Sequence, residues 1–353
     1  MAPYTNNIPL SPAELSYLHT SLSQDPPIRP DGRAPAQFRP LIAETDILPS
    51  TNGSARICFA DGTEAVVGVK AEVEKRRRRG GVRVAEGELG LAEDINMSGG
   101  DDEEEGKGGR GEESWIEVSI EIPGIRDDDA LPVFLGQMLL EALLADGGMV
   151  KDRLWINERF HWRLYVDILL LSQPLSYPLP LLSLTTHLAL LSTRLPALKS
   201  QGDEDPFFDD DWEAAVYLFP RNGNASVKPP VTLLVMTVGN NILFDPSKEE
   251  LAVADSVVAI SAAQNSEGEL STVALRTIDP PSRLTAAGVP NLATSNATAA
   301  ETLAAREKDV ERKVWQPPRG GVSRALMSRM IRAVVEKGGV GEEVMDGLQG
   351  VEI

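Results

Sequence analysis

The sequence is poor in the residues that disulfides and metal centres need. It has one cysteine, Cys58, and three histidines, His19, His161 and His187, in 353 residues. A single cysteine excludes an internal disulfide framework and fits a reducing compartment. So few scattered ligands exclude a His/Cys structural zinc site, and no metal or cofactor is expected. Positive charge is also scarce: 34 Lys and Arg stand against 53 Asp and Glu, a formal net charge of −19. That balance argues against a chain that binds nucleic acid alone through a broad positive surface. The longest apolar stretches are interrupted by Asp167, Pro174, Pro178, Pro180 and His187, so no membrane span is expected. The opening MAPYTNNIPLSP lacks the charged-then-apolar pattern of a secretory signal. No G-x-S-x-G is present. The string Gly100–Lys107 is one residue too long for a P-loop, and its acids repel phosphate. A solvated loop is the stronger reading of Asp101–Glu105 than a metal site.

The length allows about two domains. Composition is uneven. A charge-dense stretch at 74–113, with little apolar content, is expected to be a disordered insert. Residues 203–213 carry seven acids and no base, and 201–229 reads as an acidic linker. Residues 279–318 are a low-complexity insert rich in Pro, Ala, Thr and Asn. The expected division is a helical arm at 1–24, a first lobe at 25–200 and a second lobe at 230–345.

Periodicity predicts the elements. Ser11-Pro12-Ala13-Glu14 is a capping box with Pro at the first helical position, and Leu15, Leu18 and Leu22 follow on one face. Asp61-Gly62 between two alternating apolar runs predicts a hairpin with both turn residues at positive φ. Trp115–Ile122 is expected as its third strand, which places the insert in a strand-to-strand loop. A helix is expected at Ala130–Ala145, a long strand at Phe160–Ser172, and a Leu-rich helix, buried on several sides, at Leu181–Leu195. Strands follow at Val231–Val238, Ile242–Phe244, Ser256–Ser261 and Thr272–Arg276. A helix at Ser323–Lys337 ends at Gly338-Gly339. The fold class is α/β (α+β), two βαβ-type lobes in one chain.

Several strings point to a known family. They are Arg29-Pro30-Asp31-Gly32-Arg33, Phe38-Arg39-Pro40, Leu48-Pro49-Ser50 and Asn52-Gly53-Ser54-Ala55-Arg56. Further along stand Val166-Asp167-Ile168-Leu169, Thr193-Arg194-Leu195-Pro196, and Val238-Gly239-Asn240-Asn241 through Asp245-Pro246 to Glu249-Glu250. In these the chain resembles the exosome ring subunits of the ribonuclease PH-like family. The resemblance leaves out the charged insert, residues 201–229 and the stretch near 285–305. It implies a ribonuclease PH-like fold and a six-membered ring of related subunits. It further implies S1/KH-type cap subunits, single-stranded RNA threading the pore, and a separate processive exoribonuclease. Nucleus and nucleolus, with a cytoplasmic share, are the implied locations.

Active members of the family carry out phosphorolysis, in which inorganic phosphate attacks the 3′-terminal phosphodiester. They hold phosphate on Gly-rich backbone amides at a helix start with an Arg alongside, where unpaired N–H groups meet the positive dipole end. The equivalent turn here is Ser172-Gln173-Pro174-Leu175-Ser176-Tyr177-Pro178-Leu179-Pro180. It has no glycine and no arginine, and its three prolines lack N–H donors. No catalytic residue is assigned, and the phosphate site reads as lost. Asp245, Glu249, Glu250 and Asp255 lie where active relatives carry paired aspartates, but their spacing does not match. They read as a degenerate acidic site: Asp245-Pro246 a turn, the two glutamates solvated, Asp255 at a strand start.

The basic residues leave alternatives open. Lys75, Arg76, Arg77, Arg78 and Arg79 form a run that suits nuclear import, RNA contact or a charged loop pairing with its own acidic half. Arg29, Arg33, Arg39 and Arg56 are candidates for RNA phosphates in a pore, or for structural ion pairs. The leading expectation is a non-catalytic ring subunit that closes the ring, docks caps and guides RNA 3′ ends. A phosphorolytic 3′-exoribonuclease is the alternative, and a stand-alone RNA-binding protein a third reading.

Overall fold

The computed structural model describes residues 10–76, 113–145, 153–200, 202, 204–220, 228–264, 268–283, 315–316 and 321–351. Helix α1 (Pro12–Leu22) starts at Ser11, whose Oγ accepts from Glu14 N while the Glu14 carboxylate accepts from Ser11 N. Leu15 and Leu22 are buried against the body. Asn241 Nδ2 donates to the carbonyls of Leu22 and Gln24 at the far end of the helix. The arm therefore packs on its own chain.

The first sheet contains β1 (Leu41–Thr45), β2 (Gly53–Phe59), β3 (Glu64–Lys75), β4 (Ile116–Glu121) and β5 (Phe160–Leu170), in the order β1-β2-β3-β5-β4. The third strand of the hairpin is β5, not the Trp115–Ile122 segment. β4 lies outside β5 and parallel to it, so helix α2 (Ala130–Ala145) serves as the crossover that a parallel pair requires. The hairpin turn also differs from expectation. Gly62 has φ 84°, but Asp61 has no positive φ and its carboxylate accepts from Thr63 N. A single left-handed glycine after a type I turn matches the strand twist equally well. β3 runs to Lys75, so the start of the expected insert, 74–75, is strand; residues 77–112 lie outside the described residues.

Helix α3 (Leu179–Ser192) starts two residues earlier and ends three earlier than the periodicity predicted, and every residue in it is buried. It lies between the two sheets and hydrogen-bonds to both. Ser183 Oγ accepts from Thr232 N, and Ser192 Oγ accepts from Ser54 N. Its end is followed by a two-stranded ribbon missed in the sequence, β6 (Arg194–Leu195) with β7 (Val216–Tyr217). Part of the expected linker is thus paired structure.

The second sheet has β8 (Val231–Val238), β9 (Asn241–Phe244), β10 (Ser256–Gln264) and β11 (Leu270–Ile278), in the order β11-β10-β8-β9. A single turn of helix, α4 (Lys248–Leu251), precedes β10. All of β8 and nearly all of β10 are buried, because helices cover both faces. α2 and α3 lie on one side; α5 (Arg324–Val335) and α6 (Val340–Gln349) lie on the other. Helix α6 was not foreseen: α5 ends at Val335 with Glu336 extended, two residues short of the expected end at Lys337, Gly338 turns the chain at φ 74°, and Gly339 caps the next helix. The layers run sheet, helices, sheet, helices. Of the 279–318 stretch only 279–283 and 315–316 are described; Trp315 is buried and donates its N–H to Ser16 Oγ on α1. No helix among the described residues is long and apolar enough to cross a membrane.

Candidate functional site

Three of the four candidate arginines converge on Asp245, Arg33 and Arg39 on its carboxylate and Arg29 on its backbone carbonyl. The turn Arg29–Arg33 is tight because Gly32 takes φ 76°, and the Asp31 carboxylate accepts from both the N–H and the Nε of Arg33. The turn lies against the end of β9, where Phe244 N donates to the Pro35 carbonyl. Asp245 has no exposed surface and adopts φ 46°. Its Oδ2 accepts from Arg33 Nη1 at 3.0 Å and from Arg39 N and Nε at 2.9 Å. Its Oδ1 accepts from Arg39 Nη2 at 2.7 Å. Its backbone carbonyl accepts from Arg29 and Arg33.

Glu250 forms the second centre. Ser247 caps α4 and pairs reciprocally with Glu250 in a capping box. This register turns Glu250 inward and leaves Glu249 exposed. Glu250 Oε1 and Oε2 accept from Arg29 Nε and Nη2, each at 2.7 Å, and neither side chain has exposed surface. The planar fork of Arg suits this bidentate pairing. Glu250 is therefore not solvated as the sequence suggested, while Glu249 is, and Asp245, expected as a turn residue, is fully buried. Water is replaced by guanidinium groups, which is how a buried carboxylate is sustained. Asp255 stands apart: it accepts from Gly239 N at 2.6 Å and lies 3.8 Å from His19 Nε2. The four acids do not form one centre.

Arg39 links this cluster to the turn before α3. Its Nη1 donates to Asp61 at 2.5 Å and to Ser176 Oγ at 2.8 Å, and its guanidinium lies 4.6 Å from the Phe59 ring centre. Burial alone would lower its pKa, but Asp245 and Asp61 outweigh burial and raise it. Burial would likewise raise Asp61 and Asp31. Hydrogen bonds from Thr63 together with Arg39 hold Asp61 below the ordinary carboxylate value, and Arg33 does the same for Asp31. At the helix start itself, Pro178 occupies the N-cap with no side-chain cap, and Leu179, Pro180 and Leu181 are buried. The first turn of α3 faces packed side chains.

The arginines thus divide. Arg29 has no exposed side-chain surface and is an internal ion-pair partner, which removes it as an RNA contact in this fold. Arg33 and Arg39 are largely buried by the same carboxylates. Arg56 is partly exposed on the open face of the first sheet, paired with Glu64 and Glu44; the Glu64 hydrogen bond chiefly raises its pKa. Of the basic run, Lys75 and Arg76 lie by Phe160 and Trp155, and Arg77, Arg78 and Arg79 lie outside the described residues. Asp61 and Ser176 were not singled out from sequence. Asp61 read only as a turn residue, and no spacing marks a partner across the fold. Among the described residues no group of three or more His, Cys, Asp or Glu could hold a metal ion.

Two sheets enclosing buried helices, with an arginine-carboxylate centre joining the lobes, define a ribonuclease PH-like protein. Residues 37–196 match the model of the 3′ exoribonuclease family, domain 1. The exosome complex component RRP42 of Saccharomyces cerevisiae is 34% identical over 257 residues, covering 71% of this chain and 81% of that protein. The rrp42 component of Schizosaccharomyces pombe is 34% identical over 267 residues, covering 71% and 77%. A solved Archaeoglobus fulgidus exosome with RNA bound to the active site aligns with 85% of this chain and 98% of its own, at 18% identity and TM-score 0.49. The chain belongs to the RRP42 family of ribonuclease PH-like exosome components.

Proposed function

We propose that this chain is a non-catalytic subunit of a six-membered exosome ring, supporting 3′-to-5′ RNA processing and degradation. It closes the ring beside other ribonuclease PH-like subunits, docks S1/KH-type caps and guides single-stranded RNA to a separate processive nuclease. The relatives' names support the ring assignment. The observation that carries the non-catalytic part is the Gln173–Pro180 turn. A phosphate there would meet an apolar, proline-blocked helix start. The nearby Arg39 already serves Asp245, Asp61 and Ser176. Asp245 and Glu250 are likewise committed to arginines, so neither is free to act at a reacting phosphodiester.

The test is direct. Purified chain is incubated with single-stranded RNA bearing a 3′ hydroxyl, with and without inorganic phosphate. No nucleoside diphosphate is expected in either case. Phosphate-dependent release would establish the phosphorolytic alternative instead. The same reading has the chain working in nucleus, nucleolus and cytoplasm, with import, RNA contact or a charged loop as the open roles of Lys75–Arg79.

A further inference from the structure

The ribbon that follows α3 presents apolar groups to solvent in an acidic setting. One arm runs from Arg194 to Ser200 and the other from Phe207 to Tyr217. They are joined at both ends, Leu195 facing Val216 and Leu198 bridging Phe208, with Lys199 N donating to the Phe207 carbonyl. The ribbon is about 20 Å long at the usual rise per residue. Phe208 anchors it, its ring 4.9 Å from that of Trp162. On the outside Phe207 is 65% exposed, Val216 57%, Trp212 47% and Leu198 46%. Glu204, Asp205, Asp210, Asp211 and Glu213 are exposed among them. Aromatic side chains left in water on an ordered ribbon mark an interaction surface.

A cleft of about 490 Å³ opens beside the ribbon, with Trp212, Asp46, Leu48 and Arg194 in its walls. Arg194 is turned onto the Tyr217 ring, 4.6 Å away. Asp46 is exposed, held at φ 55°, with no ion pair among the described residues. An indole and an unpaired carboxylate facing one cleft suit the stem and head of a lysine or arginine.

We infer that this ribbon and cleft bind a basic, apolar-containing peptide segment of a partner protein, one cationic side chain seating between Trp212 and Asp46. Charge selects the partner: the exposed acids repel an RNA backbone and attract lysine and arginine. The inference does not rest on the ring assignment, and the isolated chain tests it.

The probe is a short fluorescein-labelled peptide of Arg-Leu-Gly repeats, followed by anisotropy on the full chain at physiological salt. Binding is expected. Trp212→Ala is expected to weaken it about tenfold, the size of one well-seated cation on an indole. Phe207→Ser and the pair Asp46→Asn, Asp211→Asn are expected to weaken it several-fold; Asn at 211 keeps the cap on the following turn. Asp127→Asn with Asp128→Asn, on a distant exposed loop, is expected to change nothing. Equal weakening by both charge pairs would mean diffuse attraction to an acidic protein and would overturn the inference. So would tighter binding after Arg77, Arg78 and Arg79 are replaced by glutamine, since the chain's own run would then be the occupant. Trp212-dependent binding of oligouridine in place of the peptide would also overturn it.

Discussion

Arg29 and Glu250 stand 221 positions apart and share two hydrogen bonds of 2.7 Å where neither side chain meets solvent. The pair ties the segment before the first sheet to the turn after β9, so it reports on the docking of the two lobes. Removing one partner strands a buried charge, which costs about 3–5 kcal/mol. Arg29→Ala and Glu250→Ala are each expected to lower the unfolding free energy by that amount, read from urea titrations. The double variant Arg29→Met, Glu250→Leu should recover a large part of it. Additive losses would show that the two residues act independently.

Asp245 separates charge from backbone geometry. Its φ of 46° suits Asn as well as Asp, whereas Ala pays for the left-handed conformation. Asp245→Asn removes the negative charge shared by Arg33 and Arg39 and should destabilise the chain by about 3 kcal/mol. Asp245→Ala should cost about 1 kcal/mol more. Thermal melts of the two variants compare them, and identical melts would contradict the backbone part.

His187 predicts a pH dependence. It is fully buried in α3, and neither ring nitrogen has a well-formed hydrogen bond. Burial pushes its pKa from 6.5 down to about 4. The native state holds it neutral while the unfolded chain protonates it. Its contribution is therefore complete above about pH 6.5 and is lost as pH falls toward 4, reaching about 3 kcal/mol. His187→Leu should flatten that part of the profile in urea titrations between pH 7 and pH 4.5. Parallel profiles for the two proteins would count against it.

Gly53 is required by packing. A Cβ there would lie 2.5 Å from the Thr193 backbone, at the point where β2 meets the end of α3. Both sides are main chain and cannot yield cheaply. Gly53→Ala should cost about 1–3 kcal/mol, read by denaturant unfolding. Gly347→Ala, with open space around it, should leave the midpoint unchanged or raise it.

Local elements were legible wherever one period dominated. The Ala130–Ala145 helix and the Val231–Val238 strand carry the predicted bounds because their apolar positions repeat over several turns or pleats. Strand order was not legible. The insertion of β5 between β3 and β4 is a pairing across roughly ninety residues, and alternation is the same for either neighbour. The arginine motif was visible, but its partners were not. Choosing Glu250 over Glu249 depends on the capping register of α4, and Arg39 reaches Asp245 across 206 positions. The ribbon after α3 was hidden because its two-residue strands are too short to show a period.

The most direct measurement is native mass spectrometry on complexes isolated through a tag on this chain. A ring scaffold predicts one copy of this chain with five different ribonuclease PH-like subunits and three cap subunits. A monomer, or a ring built only from copies of this chain, would contradict it.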